Sequence, residues 1–329
     1  DVLFVIGAGG ALLLSAALLN TGAITLGSVY VVFRYTAMLR EPLERLTRQL
    51  NGFLQASAAT LRVGELLGTS TRVADGQTAA LANGALTVEL DGVSFAYEAE
   101  PVLRGVSCCL QAGEVLGLLG RTGSGKTTMS RLLFRLHDPQ QGVVRLGGVD
   151  LRDVHIESLR GRVGLVTQDV QLFHSTLRDN VTLFDEDVPD ERLCEVFAEL
   201  GLHEWLRSLP DGLETRLGAG GRGVSAGEGQ LVALARVFLK DPGLVVLDEA
   251  SSRLDPHTEQ LLERAVTRLL EGRTGVVIAH RLATVQRADW ILILDDGSVV
   301  ELGRRTELVA QPTSHFARLL RAGLREALA

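Results

Sequence analysis

The residues Gly120-Arg121-Thr122-Gly123-Ser124-Gly125-Lys126-Thr127 have the types and the spacing to hold a polyphosphate. Glycines at 120, 123 and 125 let backbone N–H groups close around phosphate oxygens. The Lys126 ammonium reaches the terminal phosphates, and the Thr127 hydroxyl is suited to Mg2+. Such a loop works between a strand and a helix. Val115-Leu116-Gly117-Leu118-Leu119 is an apolar run fit for a buried parallel strand, and Thr128 to Leu136 reads as the helix. A phosphate loop also needs a metal-side carboxylate. Leu244-Val245-Val246-Leu247 predicts a central strand ending in Asp248 and Glu249. That strand end is the edge of an open α/β sheet where ligands collect. Asp248 would hold Mg2+, directly or through water, and Glu249 would polarise an attacking water. An Asp-Glu pair alone is more often a solvated turn; the phosphate loop gives it chemistry. An Asn-Lys-x-Asp guanine reader is excluded, because the chain's two lysines, Lys126 and Lys240, follow Gly125 and Leu239. ATP is therefore the expected nucleotide.

Between these two motifs stands Val224-Ser225-Ala226-Gly227-Glu228-Gly229-Gln230, opening a predicted helix from Leu231 to Leu239. It resembles the L-S-G-G-Q signature of ATP-binding-cassette (ABC) proteins, and the other motifs of that family follow in order. Tyr97, in Val93-Ser94-Phe95-Ala96-Tyr97, matches the aromatic that stacks on adenine. Gln168, in Val166-Thr167-Gln168-Asp169, matches the glutamine that senses Mg2+ and water, and Val170–His174 would join the ATPase to a membrane domain. Asp255, in Ser252-Arg253-Leu254-Asp255, and His280, in Ile278-Ala279-His280-Arg281-Leu282, match two further motifs.

The resemblance implies an α/β P-loop NTPase with a RecA-like core, an antiparallel β subdomain and a helical subdomain. It implies catalysis by Glu249, His280 and Gln168, with Mg2+ held by Thr127, Gln168 and Asp248. ATP would lie on Tyr97, Gly120, Thr122, Gly123, Ser124, Gly125, Lys126, Thr127 and Thr128, with Ser225, Gly227 and Asp255 completing nucleotide contacts. Ser225 and its helix would face the ATP of an opposite subunit, so two cassettes closing head to tail would drive transport. The plainer reading of Ser225 is a helix N-cap, and that of Tyr97 a cross-strand packing residue.

Some positions depart from the family pattern. Val224, Ala226 and Glu228 replace the signature's leucine, a glycine and its glutamine, and Arg253 replaces a small residue. A carboxylate near a triphosphate is expected to weaken binding modestly. Gly218-Ala219-Gly220-Gly221 lacks the glutamate that exporters often carry before the signature.

The elements around these motifs divide the chain. Its mean hydropathy is +0.19 and its net charge −7, yet every charged residue except Asp1 lies at or after Arg34. Val2 to Leu19 is an 18-residue uncharged run. As a helix it reaches about 27 Å, close to the hydrocarbon thickness of a bilayer. Asn20-Thr21-Gly22 reads as a turn, and a second apolar stretch starts at Ala23. It continues as an amphipathic helix with Leu43, Leu46, Leu50, Leu54, Leu61 and Leu67 near helical spacing and Pro42 as a possible kink. The pair predicts an all-α transmembrane hairpin. The arginines that follow it place the rest in the cytoplasm, at a plasma or inner membrane.

The expected organisation is a partial transmembrane domain over 1–72, a linker over 73–84 and the nucleotide-binding domain over 85–329. Residues 1–84 then carry +1 and the cassette −8. The chain opens with Asp1 rather than Met and reads as a fragment, with further spans expected upstream. It resembles the last two helices and cassette of an exporter-type half-transporter, whose partners would be the bilayer and a second half-transporter, identical or not.

The acidic balance argues against holding nucleic acid by bulk charge. Cys108, Cys109 and Cys194 show no framework and no metal spacing, and are expected as buried, reduced thiols. The remaining histidines, His137 among them, are expected at the surface or in structural roles. Soluble cassette ATPases of repair or translation carry coiled-coil insertions or tandem cassettes, and neither is visible. A non-hydrolysing nucleotide module is disfavoured by Glu249, Gln168 and His280 together.

Overall fold

The computed structural model describes residues 2–68, 71, 73–77, 80–98, 100–218, 225–248, 255–278 and 285–322. The chain divides into two compact units, Asp1–Thr71 and Arg72–Ala329.

In the first unit, α1 (Val2–Asn20) and α2 (Leu26–Gly68) pack against each other. The turn between them forms where the sequence predicts it. Gly22 takes φ 72°, and Ala23 N donates to Leu18 O at 3.0 Å while Gly22 N donates to Leu19 O at 3.0 Å. That pairing satisfies carbonyls the helix end leaves open. Pro42 lies inside α2 without ending it. Among the described residues no helix is long and apolar enough to cross a membrane. In α2 the charges Arg34, Arg40 and Glu41 lie in the N-terminal half. The side chains of α1 are described from Phe4 onward.

The second unit is built on two sheets. The elements are β1 (Val88–Ala96), β2 (Pro101–Leu110), β3 (Val115–Gly120), α3 (Lys126–Leu133), β4 (Gln141–Leu146), β5 (Val149–Asp150), α4 (Ile156–Arg162) and β6 (Val163–Val166). They continue as α5 (Leu177–Thr182), α6 (Asp190–Glu199), α7 (His203–Ser208), α8 (Ala226–Leu239), β7 (Leu244–Asp248), α9 (Pro256–Leu270), β8 (Thr274–Ile278), β9 (Trp290–Asp295), β10 (Ser298–Arg304), α10 (Arg305–Ala310) and α11 (His315–Ala322). The large sheet has the order β10-β9-β3-β8-β7-β6 and the small one β2-β1-β4-β5. In the large sheet β9, β3, β8, β7 and β6 run parallel and β10 antiparallel, whereas the small sheet is antiparallel throughout. This is the expected core and β subdomain.

The continuous apolar strands arise because both faces of the large sheet are covered. Leu116, Leu118, Val246, Val276 and Leu292 face a core shared with the small sheet and α3. Their neighbours Val245, Leu247 and Val277 face a second core made with α5 to α9. Each such side chain removed from water contributes about 1.5–3 kcal/mol. In β1, Val88–Ala96 forms one strand with its register shifted between Leu90 and Val93. Gly92, at φ 60°, makes that bulge.

The same two-residue alternation corrects the cysteine expectation. Cys108 is buried, but Cys109 and Cys194 are exposed, and all three are free. Adjacent positions on β2 point to opposite faces.

Residues 73–77 and 80–84 belong to the second unit. Arg135, 2% exposed, donates to the carbonyls of Ala74 (2.7 Å), Val154 (2.9 Å) and Arg152 (3.2 Å). Asp75 accepts from Ile156 N at 2.8 Å, at the start of α4. That bond, followed by the His155 contact, holds the Asp75 carboxyl below its usual range against some desolvation.

Candidate functional site

The loop from Gly120 to Gly125 joins the C-terminal end of β3 to α3. Its shape depends on two glycines. Gly120 has φ 148° and a side chain there would meet the Leu294 carbonyl; Gly125 has φ 104° and would meet Leu103 Cδ2 at 2.6 Å. Ser124 N donates to Arg121 O at 3.1 Å, closing the turn, and Gly297 N donates to Ser124 O at 3.2 Å. The β9–β10 turn therefore braces the loop from behind, a support the sequence did not announce.

Lys126 is 6% exposed. Its Nζ donates to Gly120 O at 2.7 Å and Arg121 O at 2.8 Å. Burial pulls its pKa down, and the Asp248 carboxylate opposes that shift. The first N–H groups of α3 lack acceptors within the helix and face the same side, a ready seat for an anion. Ser124 Oγ is buried with no hydrogen-bond partner. A cationic side chain, free helix N–H groups and an orphaned hydroxyl around a loop with no room for a Cβ fit a polyphosphate. Thr122, Gly123 and Thr127 are exposed on this seat, while Thr128 is buried behind it.

Asp248 ends β7, level with Ile278 of β8, which in turn pairs with Leu118 of β3. Three parallel strands thus bring the loop and Asp248 to one sheet edge. Gln168 is exposed just beyond β6, the next strand. The Thr127 hydroxyl and the Asp248 carboxylate are hard oxygen donors of the kind Mg2+ takes. Glu249 and His280, which continue β7 and β8, lie outside the described residues, as do Val224 and 252–254.

Tyr97 follows β1 and sits beside α3. Its ring meets Phe95 edge-on at 4.9 Å and His137 at 5.3 Å. Its hydroxyl lies 3.3 Å from Thr128 Oγ1 and accepts from Arg131 Nη1 at 2.9 Å. His137, expected at the surface or in a structural role, is part of the wall around Tyr97.

Residues 103–252 match the family described as ABC transporter. They form an ABC transporter domain, the ATPase cassette of that family.

The cassette's relatives extend the likeness to the first unit. The chain is 37% identical over 310 residues to a multidrug efflux ATP-binding/permease protein of Mycobacterium bovis, covering 93% of this chain and 26% of that protein. It is 36% identical over 296 residues to an ATP-dependent lipid A-core flippase of Syntrophus aciditrophicus, covering 90% of this chain and 49% of that one. A solved bacterial Atm1-family ABC exporter with ATP bound aligns with a TM-score of 0.73 and 31% identity, over 98% of this chain and 57% of that structure's chain. The chain spans half or less of the length of the curated relatives it matches.

The signature region of the cassette explains one departure. Ser225 caps α8, its Oγ accepting from Glu228 N at 3.2 Å, and Glu228 Oε2 accepts from Ser225 N at 2.6 Å. Glu228 Oε1 also accepts from Trp205 Nε1 at 3.1 Å. The carboxylate feared as a repellent for triphosphate is held in a capping box and ties α7 to α8. Ala226 is exposed and Gly227 buried in the first turn. Asp255 caps α9, accepting from His257 N at 3.1 Å and Thr258 N at 3.0 Å. Those backbone bonds, Thr258 first, hold its carboxyl below the usual range.

Proposed function

We propose that this chain is the C-terminal part of an ABC exporter half-transporter, whose cassette binds and hydrolyses ATP to drive movement of a substrate across a membrane. The observation that carries the nucleotide reading is the seat at Lys126. The ammonium is held by Gly120 and Arg121 carbonyls at 2.7 and 2.8 Å and faces the Asp248 carboxylate's field. On binding, Lys126 exchanges those carbonyls for the terminal phosphates, and the N-terminus of α3 takes the rest of the triphosphate. Tyr97 offers the base a ring. Thr127, Gln168 and Asp248 would hold Mg2+, which supplies charge neutralisation between the terminal phosphates. Glu249 serves as general base, and His280 contacts the γ-phosphate. Ser225 and the start of α8 meet the ATP of a second cassette, so closure of two cassettes depends on the γ-phosphate and hydrolysis reopens them.

The membrane assignment is supported by the relatives' ATP-binding/permease names. It is also supported by the uncharged α1. The excess of arginine after the apolar helices supports a cytoplasmic cassette.

The test is the ATPase rate of the chain in lipid. Glu249→Gln should keep ATP binding and abolish turnover. A rate equal to wild type would overturn the assignment of the general base. Recovery of the protein in the soluble fraction without detergent would overturn the exporter reading.

A further inference from the structure

We propose that Arg131 is a positioning residue for the nucleotide base, acting through the Tyr97 hydroxyl. The inference rests on the nucleotide reading above and adds a residue to it. Tyr97 stands at the end of β1, where a strand has no further ladder to fix its last side chain, and it is 38% exposed. Its ring edges are fixed by Phe95 and His137, at 90° and 88°. Those contacts fix the ring's tilt but leave its outer end free. The outer end is fixed by α3. Arg131 Nη1 donates to the phenol oxygen at 2.9 Å, and that oxygen also lies 3.3 Å from Thr128 Oγ1, in a bond between the two hydroxyls. The guanidinium carbon is 5.9 Å from the ring centroid, within reach of the ring's face as well.

Arg131 lies five residues beyond Lys126 on the same helix, about 7.5 Å along its axis. One rigid element therefore sets both where the triphosphate sits and where the ring sits. The spacing between the two subsites is then fixed by α3 rather than by the end of β1. Arg131 acts on the base through the Nη1 donor that the structure places on the phenol, and the experiment separates this from a contact to phosphate.

The experiment uses the full chain in lipid nanodiscs. It measures kcat and KM for ATP, and the inhibition constant of inorganic tripolyphosphate, which has phosphates but no base. Arg131→Ala should raise KM for ATP about five- to tenfold with kcat retained, the size expected for losing a charge-assisted hydrogen bond. Its tripolyphosphate constant should stay within about twofold of wild type. Tyr97→Phe, which removes only the hydroxyl, should raise KM similarly. The double variant should cost no more than the larger single change, because both act through one bond. Arg131→Lys keeps one donor and should recover part of the loss. Tripolyphosphate weakened in parallel with ATP would show Arg131 to be a phosphate ligand and overturn the inference. So would additive effects in the double variant, or an unchanged KM. A wild-type chain that binds neither ATP nor tripolyphosphate would instead overturn the nucleotide reading itself.

Discussion

Glu228→Gln moves the signature toward the family pattern, and the structure makes it a destabilising change. The Glu228 carboxylate accepts from two donors on opposite sides, Ser225 N at 2.6 Å and Trp205 Nε1 at 3.1 Å. A carboxylate has two acceptor oxygens, whereas an amide has one oxygen and an NH2 group. Whichever way the amide turns, one donor faces another donor. Trp205 is 6% exposed, so its N–H has little access to water. An unsatisfied donor of this kind costs about 1–3 kcal/mol. Removing a negative charge from the first turn of α8 costs a further 0.3–1 kcal/mol or about that. The sum is about 1.3–4 kcal/mol, or a fall of about 3–16 °C in the melting temperature at about 2–4 °C per kcal/mol for a domain this size. Trp205 reports its own environment: with Trp290 changed to Phe, its fluorescence on heating follows the α7–α8 contact directly. Glu228→Ala should lose at least as much. A Glu228→Gln protein that melts at or above wild type would refute the two-donor argument.

Further outcomes follow from the loop and the core. Gly125→Ala forces a side chain into φ 104° and against Leu103 Cδ2 at 2.6 Å. It should weaken ATP binding by at least tenfold and cost about 1–3 kcal/mol, read by nucleotide titration and melting. Burial pushes the Cys108 thiol up from 9.0 to about 12. The folded chain thus keeps this proton where the unfolded chain loses it. The stability Cys108 contributes is whole below about pH 9 and is lost as pH rises toward 12. Iodoacetamide at pH 8 should label Cys109 and Cys194 in the native protein and Cys108 only after unfolding, checked by mass spectrometry.

What could be read from the sequence is what is local. The phosphate loop, the strand before it and the strand ending at Asp248 each sit within a dozen residues, and apolar runs between turn residues betray buried strands. The surroundings of Tyr97 are different. Thr128, Arg131 and His137 reach it from 31 to 40 positions away, through folding of the small sheet onto α3. No spacing rule encodes that meeting, so the sequence marks His137 only as a surface or structural residue and gives no signal for Arg131. Glu228 is a third case. Ser225-Ala226-Gly227-Glu228 is itself a capping-box pattern, but comparison with the signature drew the eye to the missing glutamine. Trp205, the second donor, is 23 residues upstream and invisible to either reading.

Arg135 occupies the left-handed position that closes α3, at φ 49°, where glycine would be less strained. Its side chain grips the carbonyls of 74, 152 and 154 from there. The eight residues of α3 thus form a strut about 12 Å long. At one end is the seat for phosphate, and at the other is the segment through which the chain enters this unit. A load applied to that segment is carried through the bond from the buried Arg135 guanidinium to Ala74 O, with the bonds to Arg152 O and Val154 O bracing the same side chain. Whatever draws the loop forward along α3 also draws on the carbonyl of Ala74. A pull at the chain's point of entry and a change at the phosphate seat therefore meet on the two ends of one eight-residue helix.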